Sequence, residues 1–178
     1  MAVPLKPLSD QVMVIVGGSS GIGLATAWRA AAAGAKVEFI ELDIAASKYV
    51  LATLPATISR IAYERVGASK VDVLVHNAGM AYKGDVFGAE DARATFQTNL
   101  FGTMAVTELL LPLLRNAAFG PDAQPARIVN VCSQAGRLSQ VSPALQARLG
   151  DPAATAATVT ALAEEFLSAV ADNTFEAK

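Results

Sequence analysis

Short apolar segments rich in β-branched residues alternate along this chain with longer segments of helical composition. The pattern predicts buried strands at four places: 12–16, 36–42, 71–75 and 127–132. Because strand and helix alternate, the connections should be right-handed crossovers between parallel strands. We therefore predict an α/β fold, with a doubly wound parallel sheet and helices on both faces. Ligands bind such sheets at the carboxyl ends of the strands, so the residues just after each strand are the functional candidates.

Helix signals locate the first three connecting segments. A helix is predicted over 22–33 and ends at Gly34, since glycine is favoured just past a helix C-terminus. Residues 45–66 have helical composition, with Pro55 as a cap or a break. A longer helix is predicted over 89–111. The residues spaced to form its apolar face are Phe96, Leu100, Met104 and Leu111.

Two further helices are predicted towards the C-terminal end. A short one follows Ser142-Pro143. The last is predicted to open with Asp151 as N-cap and Pro152 in the first turn. Its apolar stripe is formed by Val159, Leu162, Phe166 and Val170.

The composition is that of a folded domain. Of 178 residues, 53% are hydrophobic and 17% are charged, and the net charge is −2. No apolar run approaches the roughly 20 residues of a membrane-spanning helix, and no basic cluster indicates nucleic acid. The single cysteine, Cys132, cannot form an internal disulfide, and the first ten residues show no targeting pattern. We expect one domain over 1–178 in a cytoplasmic setting, with neither membrane nor nucleic acid as partner.

A glycine-rich sequence follows the first strand and opens the first helix: Gly17-Gly18-Ser19-Ser20-Gly21-Ile22-Gly23. Glycines there let the backbone turn sharply and approach a pyrophosphate, which then lies on the helix N-terminus. The alternative is an ordinary tight strand-to-helix turn. A loop of the nucleotide triphosphatase kind is excluded, because no Lys-Ser or Lys-Thr follows the last glycine.

Three further polar segments follow predicted strands or interrupt the long helix. His76-Asn77-Ala78-Gly79 follows the third strand, and Ser133 comes just after the fourth. Asn99 lies inside the predicted long helix, where asparagine is locally unfavourable. The only histidine is His76, and no second ligand accompanies it, so no metal site is expected. Cys132 is interpreted as a small buried residue, not as a nucleophile.

In this order and spacing, the four segments resemble the short-chain dehydrogenase/reductase family over roughly residues 10 to 178. Gly17, Gly21 and Gly23 match the glycines of the family's Thr-Gly-x-x-x-Gly-x-Gly loop, with Val16 in place of the threonine. His76-Asn77-Ala78-Gly79 is similar to the family's Asn-Asn-Ala-Gly beside the adenine ribose. The resemblance implies a Rossmann-like fold. It also implies a cofactor site made of Gly17, Ser19, Ser20, Gly21, Ile22, Gly23, Asp43, Asn77, Ala78 and Gly79.

The resemblance also implies the chemistry, which is hydride transfer between a nicotinamide and a carbonyl. Asn99 matches the family's structural and proton-relay asparagine, and Ser133 matches its substrate-orienting serine. Residues 79–84 and the stretch 137–178 resemble the carbonyl-reductase branch, which places a helical insertion at the latter position. That branch implies NADP(H) in preference to NAD(H).

The chain departs from the family in lacking its catalytic Tyr-x-x-x-Lys pair. The tyrosines are Tyr49, Tyr63 and Tyr82, and none has a lysine four residues later. General acid catalysis is typically worth about 10²–10⁴-fold, so we expect little or no turnover from this chain. Tyr82 as a substitute acid is a third hypothesis.

A second departure lies between Gly23 and Asn77, where the family fits one more strand and helix than this chain can hold. Asp43 is therefore ambiguous. Its distance from Gly23 fits a ribose-binding carboxylate that favours NAD, whereas the local Leu-Asp-Ile fits the next strand, whose aspartate contacts the adenine. We prefer the second interpretation. The family's later strands are absent as well, so the predicted fold is truncated.

The leading hypothesis is thus an NAD(P)-dependent oxidoreductase, carbonyl reductase-like, that is inactive or impaired in this form. The alternative is a non-catalytic protein that binds a dinucleotide or a partner. With the later strands absent, the strand at 127–132 becomes an apolar sheet edge, and we expect a marginal or self-associating protein.

Overall fold

The computed structural model describes residues 6–35, 42–46, 52–67, 69–81, 88–119 and 123–174. Within these ranges three short strands form one parallel sheet: β1 (Met13–Val16), β2 (Val73–His76) and β3 (Arg127–Asn130), in the order β1-β2-β3. Val16 is the register partner of His76, which in turn is the register partner of Asn130. The three carboxyl ends therefore reach the same edge, and the predicted α/β parallel sheet is confirmed. The strand predicted at 36–42 lies, except for Leu42, outside the described residues.

The helices connect these strands in the order that the sequence predicts. They are α1 (Gly21–Ala32), α2 (Leu54–Val66), α3 (Ala89–Phe96), α4 (Thr103–Asn116), α5 (Pro143–Leu149) and α6 (Ala156–Ala171). A π-helix (Gln97–Gly102) joins α3 to α4, and short 3₁₀ turns occupy Leu8–Asp10, Gln134–Gly136 and Leu138–Gln140. Across the described ranges, no helix is both long enough and apolar enough to cross a membrane.

The chain divides into two compact units, of which the first comprises Met1–Gly79 and Gly102–Val131. In this unit α1 contacts β1, α4 contacts β2, and α2 packs on α4. All four residues of β2 are buried, as expected of a central parallel strand covered by helices. The largest fully buried side chains of the core are Val71, Leu74, Val106 and Leu110.

The second unit comprises Met80–Phe101 and Cys132–Lys178. Here α3 packs on α6, and Ala92, Leu167 and Val170 form a small core with the two phenylalanines Phe96 and Phe101 against it. An ion pair ties α5 to α6: the Arg148 guanidinium donates to both Glu165 carboxylate oxygens at 2.8 Å. These hydrogen bonds raise the pKa of Arg148.

The predicted apolar face of the long helix is correct only in part. Phe96 packs against the small core of the second unit, but all four members, Phe96, Leu100, Met104 and Leu111, are only partly buried. The residues that α4 buries are Val106, Leu110, Leu113 and Leu114. The prediction assumed 3.6 residues per turn throughout, whereas the π-helix between α3 and α4 changes the angular position of every later residue. The helix also continues past Pro112 to Asn116.

The predicted start of the last helix is wrong as well. The N-cap of α6 is Thr155, whose hydroxyl accepts from Thr158 N–H while Thr158 Oγ1 accepts from Thr155 N–H, so the two form a capping box. The Asp151 carboxylate instead accepts from Ala153 N–H at 2.8 Å and closes a turn before the helix.

The predicted stripe on α6 is correct in part. Leu162 and Val170 are buried, whereas Val159 is partly buried and Phe166 is exposed, with its ring 5.7 Å from that of Phe96. Pro55, expected to cap or break the segment 45–66, lies in the first turn of α2. The short helix predicted near Ser142-Pro143 is present as α5, with Ser142 as its N-cap.

β3 and Cys132, which follows soon after it, are more exposed than a core strand would be. All four residues of β3 are exposed, and Ile128, Val129 and Val131 remain 43–45% accessible. Cys132 is exposed too, so the expectation that it is buried is wrong. Among the described elements, β3 packs mainly on β2 and no helix packs extensively on it, so its side chains stay accessible.

Candidate dinucleotide site

The glycine-rich loop after β1 and the segment after β2 are held together by backbone and side-chain bonds. The N–H groups of Asn77 and Ala78 both donate to Val16 O, at 3.0 and 2.8 Å. The Asn77 side-chain amide donates to Gly17 O at 2.8 Å. The structure thus brings together two segments that the sequence predicted to meet at the carboxyl edge of the sheet.

The two segments approach each other so closely that two positions in the loop require glycine. Gly17 has a φ of +82°, and a Cβ there would lie 2.5 Å from Ala78 N. A Cβ on Gly23 would lie 2.2 Å from Gly17 O and 2.5 Å from Asn77 Nδ2. Ordinary Cβ contacts begin at 3.4 Å, so a side chain fits at neither position without backbone movement.

The N-terminus of α1, which the loop opens, has no side-chain cap. Ser20 is its N-cap and makes no cap hydrogen bond, and the first turn carries no acidic residue. The first N–H groups of a helix lack intrahelical partners and carry the positive end of its dipole. A Cβ on Gly21 would meet nothing within 4 Å, so the approach to this turn is open. Ser19, Ser20 and Ile22 are exposed beside it.

These features fit the pyrophosphate of a dinucleotide. The groups presented are backbone N–H donors and two hydroxyls, and no carboxylate of the first turn repels an anion. The arrangement of strand, glycine loop and uncapped helix is the one that holds dinucleotides in doubly wound sheets.

Asp43 is exposed, and its carboxylate folds back on its own turn. One carboxylate oxygen accepts from Ala45 N–H at 2.9 Å, and the Asp43 carbonyl accepts from Ala46 N–H at 3.2 Å. This turn is compatible with either role that the sequence leaves open for Asp43.

Asn99 holds the backbone immediately after Gly79. It lies in the π-helix, where its side-chain carbonyl accepts from Met80 N–H and its amide group donates to Met80 O, both at 2.8 Å. Thr98 Oγ1 lies 3.5 Å from the Met80 sulfur. The asparagine that was unfavourable in a regular helix thus has a structural reason, and Met80 is the partner that the sequence did not reveal.

Ser133 is exposed at the start of a 3₁₀ turn, and its hydroxyl oxygen accepts from Ala135 N–H at 3.1 Å. That bond leaves the hydroxyl hydrogen available as a donor. Asn99 and Ser133 belong to the second unit, whereas Gly17, Gly23 and Asn77 belong to the first.

Two buried polar residues of the sheet were not predicted. Asp72, 6% exposed, accepts from Val12 N–H at 2.8 Å, and the Lys70 ammonium lies 3.0 Å from its carboxylate. His76, 5% exposed, lies 2.8 Å from Thr107 Oγ1 through Nε2, and burial lowers its pKa. The available signal was a polar residue at each end of the apolar segment Val73–Val75.

The family model described as short chain dehydrogenase matches residues 11–147. The chain belongs to the short-chain dehydrogenase/reductase family.

Among curated relatives, it is 35% identical over 149 residues to 3-dehydrosphinganine reductase of Arabidopsis thaliana, covering 74% of this chain and 45% of that protein. It is 30% identical over 163 residues to an NADP-dependent 3-hydroxy acid dehydrogenase of Schizosaccharomyces pombe, covering 77% and 59%. The chain therefore spans about half the length of these relatives.

Among solved structures, salutaridine reductase from Papaver somniferum superposes with a TM-score of 0.72 at 22% identity, covering 94% of this chain and 73% of that one. At this identity the likeness shows the fold, and it agrees with the Rossmann-like class predicted from the sequence.

Proposed function

We propose that this chain binds a nicotinamide adenine dinucleotide at the carboxyl edge of its sheet. The observation that carries the proposal is the tight interlock of Gly17 and Gly23 with Asn77 and Ala78, beside an uncapped helix N-terminus. The N–H groups of α1 would hold the pyrophosphate, together with Ser19 and Ser20. Asn77, Ala78 and Gly79 would line the adenosine ribose.

We propose NADP(H) as the preferred cofactor. Support comes from the carbonyl-reductase resemblance and from the printed name of the fission yeast relative, which is NADP-dependent. If Asp43 contacts the adenine, it leaves the 2′-phosphate unopposed. If it contacts the ribose hydroxyls, it would repel that phosphate and reverse the preference.

When bound, the cofactor would supply a hydride equivalent to a carbonyl substrate. In that reaction the Ser133 hydroxyl, whose hydrogen is not used by its bond to Ala135, would donate to the carbonyl oxygen. Asn99 would fix the backbone after Gly79 through Met80. The usual proton donor is a tyrosine with a lysine four residues later, and the sequence contains no such pair. We therefore propose that this chain alone binds the cofactor with little or no turnover.

The second candidate is a non-catalytic protein that binds a dinucleotide and also a protein partner. The observation that favours it is the uncovered apolar strand β3. A third candidate, a reductase with Tyr82 as the acid, depends on a residue outside the described part of the chain. It predicts carbonyl-dependent NADPH oxidation that is lost in Tyr82→Phe.

Calorimetric titration of the purified chain with NADPH, and separately with NADH, tests the proposal. We expect saturable binding that is tighter for NADPH, and no carbonyl-dependent loss of NADPH absorbance. Gly23→Ala should lose binding. Gly18→Ala is the control variant in the same loop: it should keep its fold, because a Cβ there meets only ordinary contacts from 3.5 Å outward. A folded chain that binds neither cofactor would refute the proposal.

A further inference from the structure

His76 is a buried, titratable residue of the central strand β2, and it has no part in the proposed function. It is 5% exposed at the carboxyl end of β2, and Val16 and Asn130 are its neighbours in register on β1 and β3. Its Nε2 lies 2.8 Å from Thr107 Oγ1 on α4. Its Nδ1 is buried and has no hydrogen-bond partner among the described residues.

The bonds of Thr107 determine which ring nitrogen carries the proton. The Thr107 hydroxyl donates its single hydrogen to Thr103 O at 2.9 Å, in the preceding turn of α4. The same oxygen can therefore only accept from His76, so Nε2 carries the hydrogen and Nδ1 carries a bare lone pair. The opposite tautomer would leave a buried N–H without an acceptor, which is the costlier arrangement.

We propose that His76, Thr107 and Thr103 form an acid-sensitive latch between β2 and α4, closed while His76 is neutral and opened when Nδ1 takes a proton. A proton from solvent at Nδ1 would create a buried cation whose new N–H has no acceptor among the described residues. The chain would relieve this by exposing His76, which separates the end of β2 from α4. The next residue is Asn77, so the opening would begin where the segment after β2 meets the glycine loop.

The charged groups around His76 do not offset this cost. Met13–Val16 carries no ionisable side chain, and in β3 the only one is Arg127, at the opposite end of the strand. Asp72 lies before the other end of β2. On α4 the ionisable residues are Glu108, which is exposed, and Arg115, two turns further on. Desolvation is accordingly the cause that lowers the pKa of His76 below its ordinary value.

The pH dependence follows from linkage. Between the depressed pKa of the folded state and the ordinary pKa of about 6.5 in the unfolded chain, the unfolded state binds more protons. Stability is therefore complete above about pH 6.5 and falls as the pH is lowered below that value. For one group, the folded-to-unfolded ratio changes by up to about tenfold per pH unit in that interval.

The sequence contains one histidine, so NMR of the imidazole nitrogens tests the latch in the unaltered chain without ambiguity of assignment. We expect the neutral tautomer with hydrogen on Nε2 at pH 7, and no titration in the folded state near the ordinary value of about 6.5. Hydrogen on Nδ1, or titration of the folded chain near 6.5, would overturn the proposal.

Urea unfolding across pH 5–8 gives a second readout. His76→Gln serves as the matched variant, because the Gln amide can still donate to Thr107 but does not titrate. Above about pH 6.5 we expect the stabilities of the wild type and of His76→Gln to change in parallel. Below it, the folded-to-unfolded ratio of the wild type should fall relative to that of the variant by up to about tenfold per pH unit. Curves that stay parallel throughout would also overturn the proposal. If His76→Gln does not fold, the NMR result decides.

Discussion

Replacing Gly23 by alanine tests whether the glycine loop and the segment after β2 are as tightly interlocked as the structure indicates. The new Cβ would lie 2.2 Å from Gly17 O and 2.5 Å from Asn77 Nδ2, well inside the ordinary limit of 3.4 Å. The nearest atom belongs to backbone, so no change of rotamer relieves the contact. Either α1 moves away from the loop, or the bond from Asn77 to Gly17 O is lost.

The magnitude follows from those two costs. Overpacking of a close-packed site typically costs about 1–3 kcal/mol, and losing a hydrogen bond costs about 0.5–1.5 kcal/mol. We therefore expect Gly23→Ala to lower the free energy of unfolding by about 2–4 kcal/mol. Gly18→Ala is the matched control in the same loop, and its nearest contact is Ile15 O at 3.5 Å. A change within about 0.5 kcal/mol is expected there.

The assay is urea unfolding followed by circular dichroism, with NADPH titration of each folded variant. A Gly23→Ala chain with the unfolding midpoint of the control would show that the close approach relaxes freely. The loop would then not require glycine at position 23 on steric grounds, whatever the binding result.

Three further predictions concern other parts of the chain. Asp72→Asn should cost about 1.5–3 kcal/mol in urea unfolding, because it removes the charge from the bonds to Val12 N–H and Lys70; an unchanged midpoint would contradict this. Ile128→Lys should reduce the concentration-dependent self-association that we expect from the exposed β3, measured by sedimentation velocity; a wild-type monomer with a sharp, cooperative melt would refute it. Thr155→Ala should destabilise the unit containing α6 by about 1 kcal/mol in thermal unfolding, with Thr155→Ser, which keeps the hydroxyl, near wild type.

Much of the sheet and its loop was predictable, because the signals are local. The β-branched segments at 12–16 and 71–75 and the glycines at 17, 21 and 23 indicate strands and a tight turn without reference to distant residues. The parallel direction of the strands then follows from their alternation with helices. The meeting of Gly17 with Asn77 follows from the shared carboxyl edge.

The other features of the fold and of the site depend on three-dimensional geometry, which the spacing of residues in the sequence does not reveal. The spacing of apolar residues gives no sign of the π-helix, in which Asn99 bonds to Met80, so a regular helical period misplaced the buried face of α4. Asp151 and Thr155 are both acceptable N-caps, and the reciprocal bond with Thr158 distinguishes them only in three dimensions. The partner of His76 could not be inferred, because Thr107 lies 31 positions away.

The pairing of β1 with β2 has a consequence for how the chain is synthesised. Asp72 binds Val12 N–H before the paired strands, and Asn77 binds Gly17 O just after them, each across 60 residues of sequence. A slip of one residue between the strands would break both bonds, so the pair also selects the register. At a translation rate of about 5–20 residues per second, β1 waits about 3–12 seconds for its partner to be made. During that interval β1 lacks β2, its partner among the described strands, and this strand is where we expect a chaperone to be needed first.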